Sequence, residues 1–337
     1  MKAWNSILSK SLAVIVISSV FTAQTLVQAA EDRIEKSFNV QPGGRMVLDA
    51  DRGSVDVRGE DTDTVRVEVE RKASWTSGSK AAQVLKDHVV EFLQQGDTVE
   101  IKSRSPKAAS GWSFSRGNLQ VKFRITVPTR FNVAAKTAGG SVQVAQVEGA
   151  VDCGTSGGSL SFEAIRGQLD GHTSGGSIKV NECEGPTKVR TSGGGIQLAA
   201  VRGEVTAGTS GGSISAKDIV GNAVLKTSGG GINIDNVQGT VDARTSGGSI
   251  HGTFAEGPTA DCYLGTSGGG ITVQVPADAE LEVDAQTSGG GVSSDLPVTT
   301  TVQGDQKRGH LHGKINGGGP KMTARTSGGS IRLKKVG

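Results

Sequence analysis

The chain has 337 residues, 51 of them glycine, with aromatics at 4% and 36 basic side chains against 33 acidic ones. Glycine at roughly twice its usual 7% share punctuates the chain often, the near balance of charge argues against a nucleic-acid partner, and the lack of long charged runs argues against wholesale disorder. Cys153, Cys183 and Cys262 form no CxxC, no even set and no metal spacing, so neither a disulfide framework nor a zinc site is implied.

Residues 1–30 open with MKAWNSILSK, continue into the apolar run SLAVIVISSVF and end Val27, Gln28, Ala29, Ala30. The run is far short of the ~20 residues that span a bilayer. The pattern predicts a secretory signal peptide cleaved after Ala29 or Ala30. No cysteine follows for a lipid anchor, and no later stretch reads as a transmembrane segment. The mature protein is therefore expected to be exported, periplasmic or extracellular.

Residues 31–136 read as irregular first coils of a larger repeat. Residues 51–57 (DRGSVDV) and 64–69 alternate in the corner-then-strand manner that recurs further on, so 38–72 is taken as coil. An insertion follows. Val84, Leu85, His88, Val89, Phe92 and Leu93 fall at helical spacing, N-cap candidates lie at Ser77 and Ser79, and Gly96 stops the run. This predicts an amphipathic helix over 79–95 that caps the open end of the coils. Strands at 98–102 and 119–127 flank a basic loop, 103–118, which reads SRSPKAASGWSFSRGN. If the chain has a discrete contact site for sugars or an anionic membrane surface, it is expected on this loop, at Arg104, Lys107 and Arg116 with Trp112 and Phe114 in an aromatic-poor chain. The competing reading has Trp112 and Phe114 sealing the coil end beside the helix.

Residues 137–337 carry a repeat. TAGGSV at 137 is followed by TSGG[SG][ILV] at 155, 173, 191, 209, 227, 245, 266, 287 and 326, with the first six intervals all 18 residues. A fixed short period over this length means a solenoid. Counting each Thr as first, aliphatic residues fill the sixth, eighth, eleventh and fifteenth places, often the seventeenth, and glycine the thirteenth. Spacing by two is strand periodicity, and its phase changes at Gly-Gly and near the ninth and tenth places, which are expected to be corners. The fold class is all-β: a single-stranded parallel β-solenoid with 18-residue coils, irregular N-terminal coils and a short capping α-helix. Eleven to thirteen coils stacked at ~4.8 Å give a length of about 50 to 60 Å. The aliphatic after the glycines excludes the calcium β-roll, and the 6, 8, 11, 15 pattern excludes a hexapeptide helix.

Stacking makes ladders. The twelfth place runs Glu148, Arg166, Glu184, Arg202, alternating in sign, which reads as a solubility and register device. The first-place Thr is expected inward and the second-place Ser outward, with the corner hydroxyls satisfying turn backbone. Towards the end, a degenerate coil is expected over 311–325 beside a polar loop at 299–309, and Lys334 and Lys335 are expected to guard a terminal edge strand.

Phe38-Asn39-Val40 with GGR and VLDADRGSVDVRG, the strand ITVPTRFNVAAKTAGGSV, the serial TSGGSI phrases and GKINGGGPKMTARTSGGSIRL together resemble the bacterial putative-adhesin family. Its members are envelope domains of β-strand repeats whose function is unassigned. The resemblance covers nearly all the mature chain and implies no catalytic residues. Family members often show Gly-Asp-Ile after Thr-Ser; this chain has Gly-Gly-Ser-Ile, which removes an acidic corner ladder and weakens a metal-dependent reading.

A β-solenoid outside the cytoplasm could also be a polysaccharide lyase or hydrolase. Asp152 and Asp170 share the sixteenth place of adjacent coils, with Lys188 next and His172 and Arg190 two residues along. Two close carboxylates can raise one pKa for proton transfer or hold a calcium ion against an acidic sugar. Fold alone confers no function. His310 and His312 share a strand face without a third ligand, and read as a solvated pair rather than a metal site. The three cysteines fall on inward places and read as buried apolar thiols. The expected function is a non-catalytic secreted or envelope β-solenoid presenting a repetitive surface for binding, scaffolding or adhesion. It uses no cofactor and no metal, and takes an envelope protein or a glycan as its partner. The alternative is a carbohydrate-active enzyme for acidic polysaccharide using Asp152 and Asp170.

Overall fold

The computed structural model of the protein describes residues 28–75, 78–105, 119–300 and 309–336. The chain opens with β1 (Gln28–Asn39), β2 (Arg45–Ala50), β3 (Ser54–Glu60), β4 (Thr64–Trp75), α1 (Gly78–Asp87), β5 (Val89–Gln95), β6 (Thr98–Arg104), β7 (Leu119–Pro128) and β8 (Asn132–Thr137). From β9 (Val142–Glu148) and β10 (Val151–Thr155) onward each 18-residue unit gives a seven-residue strand and then a five-residue one, as in β11 (Leu160–Arg166) and β12 (Leu169–Thr173). The long strands stack in one sheet and the short strands in the other, each sheet holding 14 strands. The protein is a β-solenoid, its two sheets enclosing one continuous aliphatic core.

Pairing between coils is in register: Leu160 faces Ile178 and Phe162 faces Val180 in one sheet, Val151 faces Leu169 and Thr155 faces Thr173 in the other. Pairing skips the tenth place. Gln146, Ala164, Glu182, Ala200, Asp218 and Asn236 sit there with φ between 51° and 60°, while the ninth and eleventh residues remain paired. The phase change expected to be a corner is thus a left-handed bulge inside the long strand. It lets Leu160, Phe162 and Ile165 all point inward. The second corner falls at the thirteenth-place glycine, where Gly167, Gly185, Gly203, Gly221 and Gly239 hold φ of 131° to 143°, a region that favours glycine.

The first-place threonines do face the core. Each of the ten donates its Oγ1 proton to the glycine carbonyl of the neighbouring coil at 2.7 to 3.0 Å. Most also accept the N–H of the glycine three residues on, at 3.2 to 3.3 Å. A buried hydroxyl left without partners is costly. Here it ties a turn to its neighbour.

Both ends are threaded. β2 lies between β6 and β8, and β3 between β7 and β9, so the chain forms an inner coil first and wraps the end coil outside it. β4 then packs antiparallel on β7, and β1 on β4. At the far end the chain passes through β22 (Cys262–Thr266) and β23 (Ile271–Val275), makes the end coil β24 (Leu281–Thr287) and β25 (Val292–Ser294), and turns back through β26 (His310–Ile315). β27 (Lys321–Thr326) then slots between β22 and β24, and β28 (Ile331–Lys335) between β23 and β25. Twelve levels pair in parallel, from β6 and β7 to β24 and β25.

Three expectations are corrected by this threading. The helix expected over 79–95 ends at Asp87; residues 89–95 form β5, antiparallel to β6. Val89, Val90, Phe92 and Leu93 favour a strand, and the open backbone edge of β6 supplies the partner that an isolated helix lacks. The lysine-bearing strand β28 is interior, not an edge, since it pairs on both sides. The degenerate coil expected over 311–325 is instead the antiparallel strand β26 followed by the in-register strand β27.

Candidate functional site

Asp152 and Asp170 are direct cross-coil partners on the outer face of the short-strand sheet. With Gln168 and His172 they border a depression of about 400 Å³. Lys188, one coil further, approaches Asp170 at 3.9 Å, which draws that carboxylate into an ion pair. The imidazole of His172 folds back over Gly154, where a Cβ would lie 2.5 Å from the ring. The residues expected to cluster are therefore adjacent, on a sheet surface.

A larger concavity of about 850 Å³ runs beside the bulges of the long-strand sheet, lined by Arg58, Gln146, Glu148, Arg166, Glu182 and Glu184 among others. Sequence reading missed it, because the left-handed tenth residue that sets its edge looks like a break in alternation. Arg58 donates to the Gln146 side-chain carbonyl at 2.9 Å. Arg166 bonds Glu148 at 2.8 Å and approaches Glu184 at 3.6 Å, and the bond to Glu148 raises the pKa of Arg166 above its ordinary value. The predicted alternating ladder exists, and Glu148, Arg166 and Glu184 are spent on one another.

At the end built by β1, β4, α1 and β6 lies a buried polar cluster that the sequence reading also missed. The Arg71 guanidinium bonds both Asp32 carboxylate oxygens at 2.8 and 2.5 Å and donates to the carbonyls of Leu85 and His88. His88, 2% exposed, meets the fully buried Ser103 hydroxyl through Nε2 at 2.9 Å and Arg71 through Nδ1 at 3.5 Å. Desolvation first, and the neighbouring Arg71 second, hold the His88 pKa below its ordinary value. With both His88 and Ser103 shut from solvent, the pair fastens α1 to the stack.

In the basic loop, Lys107, Trp112, Phe114 and Arg116 lie outside the described residues. Arg104 belongs to β6, and its guanidinium pairs with the Asp49 side chain and donates to the Asp49 carbonyl at 2.8 Å. His310 and His312 both project from β26. His310 approaches Asp284 at 3.5 Å, and the Arg325 bond to Asp284 at 2.6 Å lowers that carboxyl below its usual range. No group of three metal-ligating side chains stands together among the described residues. The three cysteines are buried and free; burial pushes Cys153 and Cys262 up to about 12 and Cys183 up to about 11. No helix among the described residues is long and apolar enough to cross a membrane.

No curated protein matches the chain. The crystal structure of a putative lipid binding protein from Parabacteroides distasonis aligns at 11% identity over 91% of this chain and 97% of its own, with a TM-score of 0.39. A putative adhesin from Bacteroides fragilis aligns at 12% over 90% and 97% (TM-score 0.32), and one from Parabacteroides merdae at 10% over 91% and 97% (TM-score 0.31). The family model described as Toastrack DUF4097 matches residues 45–334, nearly the whole stack from β2 to β28, and the chain belongs to that family.

Proposed function

We propose that the protein is an exported, non-catalytic binding or scaffolding module of the cell envelope, holding an envelope protein or a glycan along its repetitive faces. The observation that carries this reading is the register. Outward side chains recur in straight columns, coil after coil, so one contact can be repeated along the length of the stack. The catalytic alternative draws on the adjacency of Asp152 and Asp170; the ion pair of Asp170 with Lys188 and the openness of the sheet face weigh against it. Affinity capture from native envelope fractions, run beside turnover assays on a panel of acidic polysaccharides, tests the two together. Retention without turnover is expected, whereas turnover lost in Asp170→Ala would overturn the proposal.

The basic loop remains the proposed local contact, with Arg104, Lys107, Trp112, Phe114 and Arg116 as its residues. Replacing Trp112 and Phe114 with Ser should leave the melting temperature unchanged and reduce retention on envelope fractions. A large fall in melting temperature would instead place the two rings in packing.

A further inference from the structure

The eighteenth place of each unit forms a column on the outer face of the short-strand sheet that carries no acid over nine consecutive levels. It reads Lys136, Gly154, His172, Arg190, Gly208, Lys226, Arg244, Gly265, Arg325, each the register partner of the next. At strand spacing this is a cationic track about 40 Å long. In mixed-sign columns elsewhere, neighbours of opposite sign meet, as Arg166 does with Glu148 and Glu184, Lys188 with Asp170 and Lys217 with Asp235. Here Arg244 and Arg325 have carboxylate partners, Asp242 and Asp284, but Lys136, Arg190 and Lys226 have none among the described residues.

The glycines in the track serve as seats. The His172 ring packs against Gly154 and the Tyr263 ring against Gly265, with the Arg244 guanidinium 4.4 Å from the centre of that ring. The seat at Gly208 is empty: a Cβ there would meet nothing nearer than 3.9 Å. It forms a notch between Arg190 and Lys226, the two unpaired cations on either side of it. Two residues along the chain from the track, Ser156, Ser174, Ser192, Ser210, Ser228 and Ser246 are exposed. Their hydroxyls form no hydrogen bond within the described residues.

We infer that this face binds a linear acidic glycan laid along the solenoid axis, with one of its anionic groups at the Gly208 notch. This rests on the binding-module reading and names its surface and partner class. Unpaired cations supply charge complementarity. The serine column offers a donor and acceptor at every coil to sugar hydroxyls. A coil rise of ~4.8 Å is close to the length of a pyranose unit, so successive sugars can meet successive coils. The weak overall charge and the hydroxyl column favour a glycan over a nucleic acid, which would call for a more basic surface.

The test uses the mature full chain with polygalacturonate as probe, its methyl-esterified form as the uncharged chain, and duplex DNA as a polyanion without sugar hydroxyls of that kind. Wild type should bind polygalacturonate, more weakly as salt is raised, and should bind the ester and DNA much less. Gly208→Asp places a carboxylate between Arg190 and Lys226 where space already exists. It should leave the melting temperature unchanged or raised and weaken binding about tenfold, while Gly208→Asn, of the same shape, keeps most of the affinity. Equal binding of the ester or of DNA, or equal loss in Gly208→Asn and Gly208→Asp, would overturn the inference. Retention on envelope fractions without polygalacturonate binding overturns the acidic-glycan assignment and leaves the binding module standing. Absence of both removes the two together.

Discussion

Gly211 and Gly212 are neighbours in one turn, yet they answer to different constraints. A Cβ at Gly212 would lie 2.1 Å from the carbonyl oxygen of Gly194 in the adjacent coil, against 3.2 Å from the Gly193 oxygen for Gly211. Backbone cannot move aside in a stack whose coils are paired on both sides. Gly212→Ala is therefore expected to destabilise by about 2 to 3 kcal/mol or more. Gly211→Ala should stay within about 1 kcal/mol, because lost freedom in the unfolded chain offsets a modest crowding. Chemical denaturation of the two variants checks the contrast; equal losses would refute it. The cysteines make a second prediction at this scale. With thiol pKa values pushed up to about 11 or 12 by burial, the nucleophilic thiolate is scarce and shielded. Native protein should resist iodoacetamide near pH 8 and label at all three positions once unfolded, which mass spectrometry reads directly.

The element that responds to pH is the cap made by α1 against β1, β4 and β6. His88 faces Arg71 on one side and Ser103 on the other, with Asp32, Asp51 and Arg52 as the further charges nearby. The acids favour its protonation, but burial and Arg71 prevail, so the folded pKa lies below the unfolded value of ~6.5. As pH falls through that value, the unfolded chain takes up a proton that the folded cap refuses. Stability is thus fully present above about pH 6.5 and declines as pH drops towards the folded pKa. The protection of α1 and β1 amides against hydrogen exchange, relative to their intrinsic rates at each pH, should fall on acidification before that of the central coils. His88→Gln should lose this early phase. An unchanged acid profile in that variant would assign the effect elsewhere.

Across the whole molecule, threading decides which parts can fray. A simple solenoid exposes its last coil, but here the C-terminal strands β27 and β28 are held between two coils each, and the first coil, β2 with β3, is enclosed in the same way. Antiparallel strands cover the outer edges of β7 and β6 at one end, β4 with β1 and β5, and that of β24 at the other, β26, while β25 is the outermost strand of its sheet. Amide exchange in β28 is expected to be as slow as in β11, although β28 ends two residues from the C-terminus. Fast exchange in β28 would contradict the threading. Twelve parallel levels at ~4.8 Å correspond to a stack of about 55 Å, a length that small-angle scattering can measure.

The sequence alone determined the β-solenoid, the inward places and the threonine ladder, because an 18-residue register forces each residue to repeat its environment one coil away. Ile178, Ile196, Ile214 and Ile232 are aligned by arithmetic before any coordinates, and they are aligned in space. The ladder of Glu148, Arg166 and Glu184 was legible for the same reason, as was the adjacency of Asp152 and Asp170. Where the repeat lapses, that inference fails. Residues 89–95 carry a helical spacing and a strand-forming composition at once, and only the unfilled edge of β6 decides between them. The hairpin turn through Gly96 (φ 57°) looked like a helix stop for the same reason. The order of the end coils depends on which open edge the returning chain meets first, a choice that no local pattern encodes. The assembly of Asp32, Arg71, His88 and Ser103 joins residues from separate elements with no common period. The acid-free column was written in the sequence at every eighteenth residue, but its meaning depended on the fold. Only the tertiary structure showed which charges were already spent on a neighbour and that the seat at Gly208 stands open between two that are not.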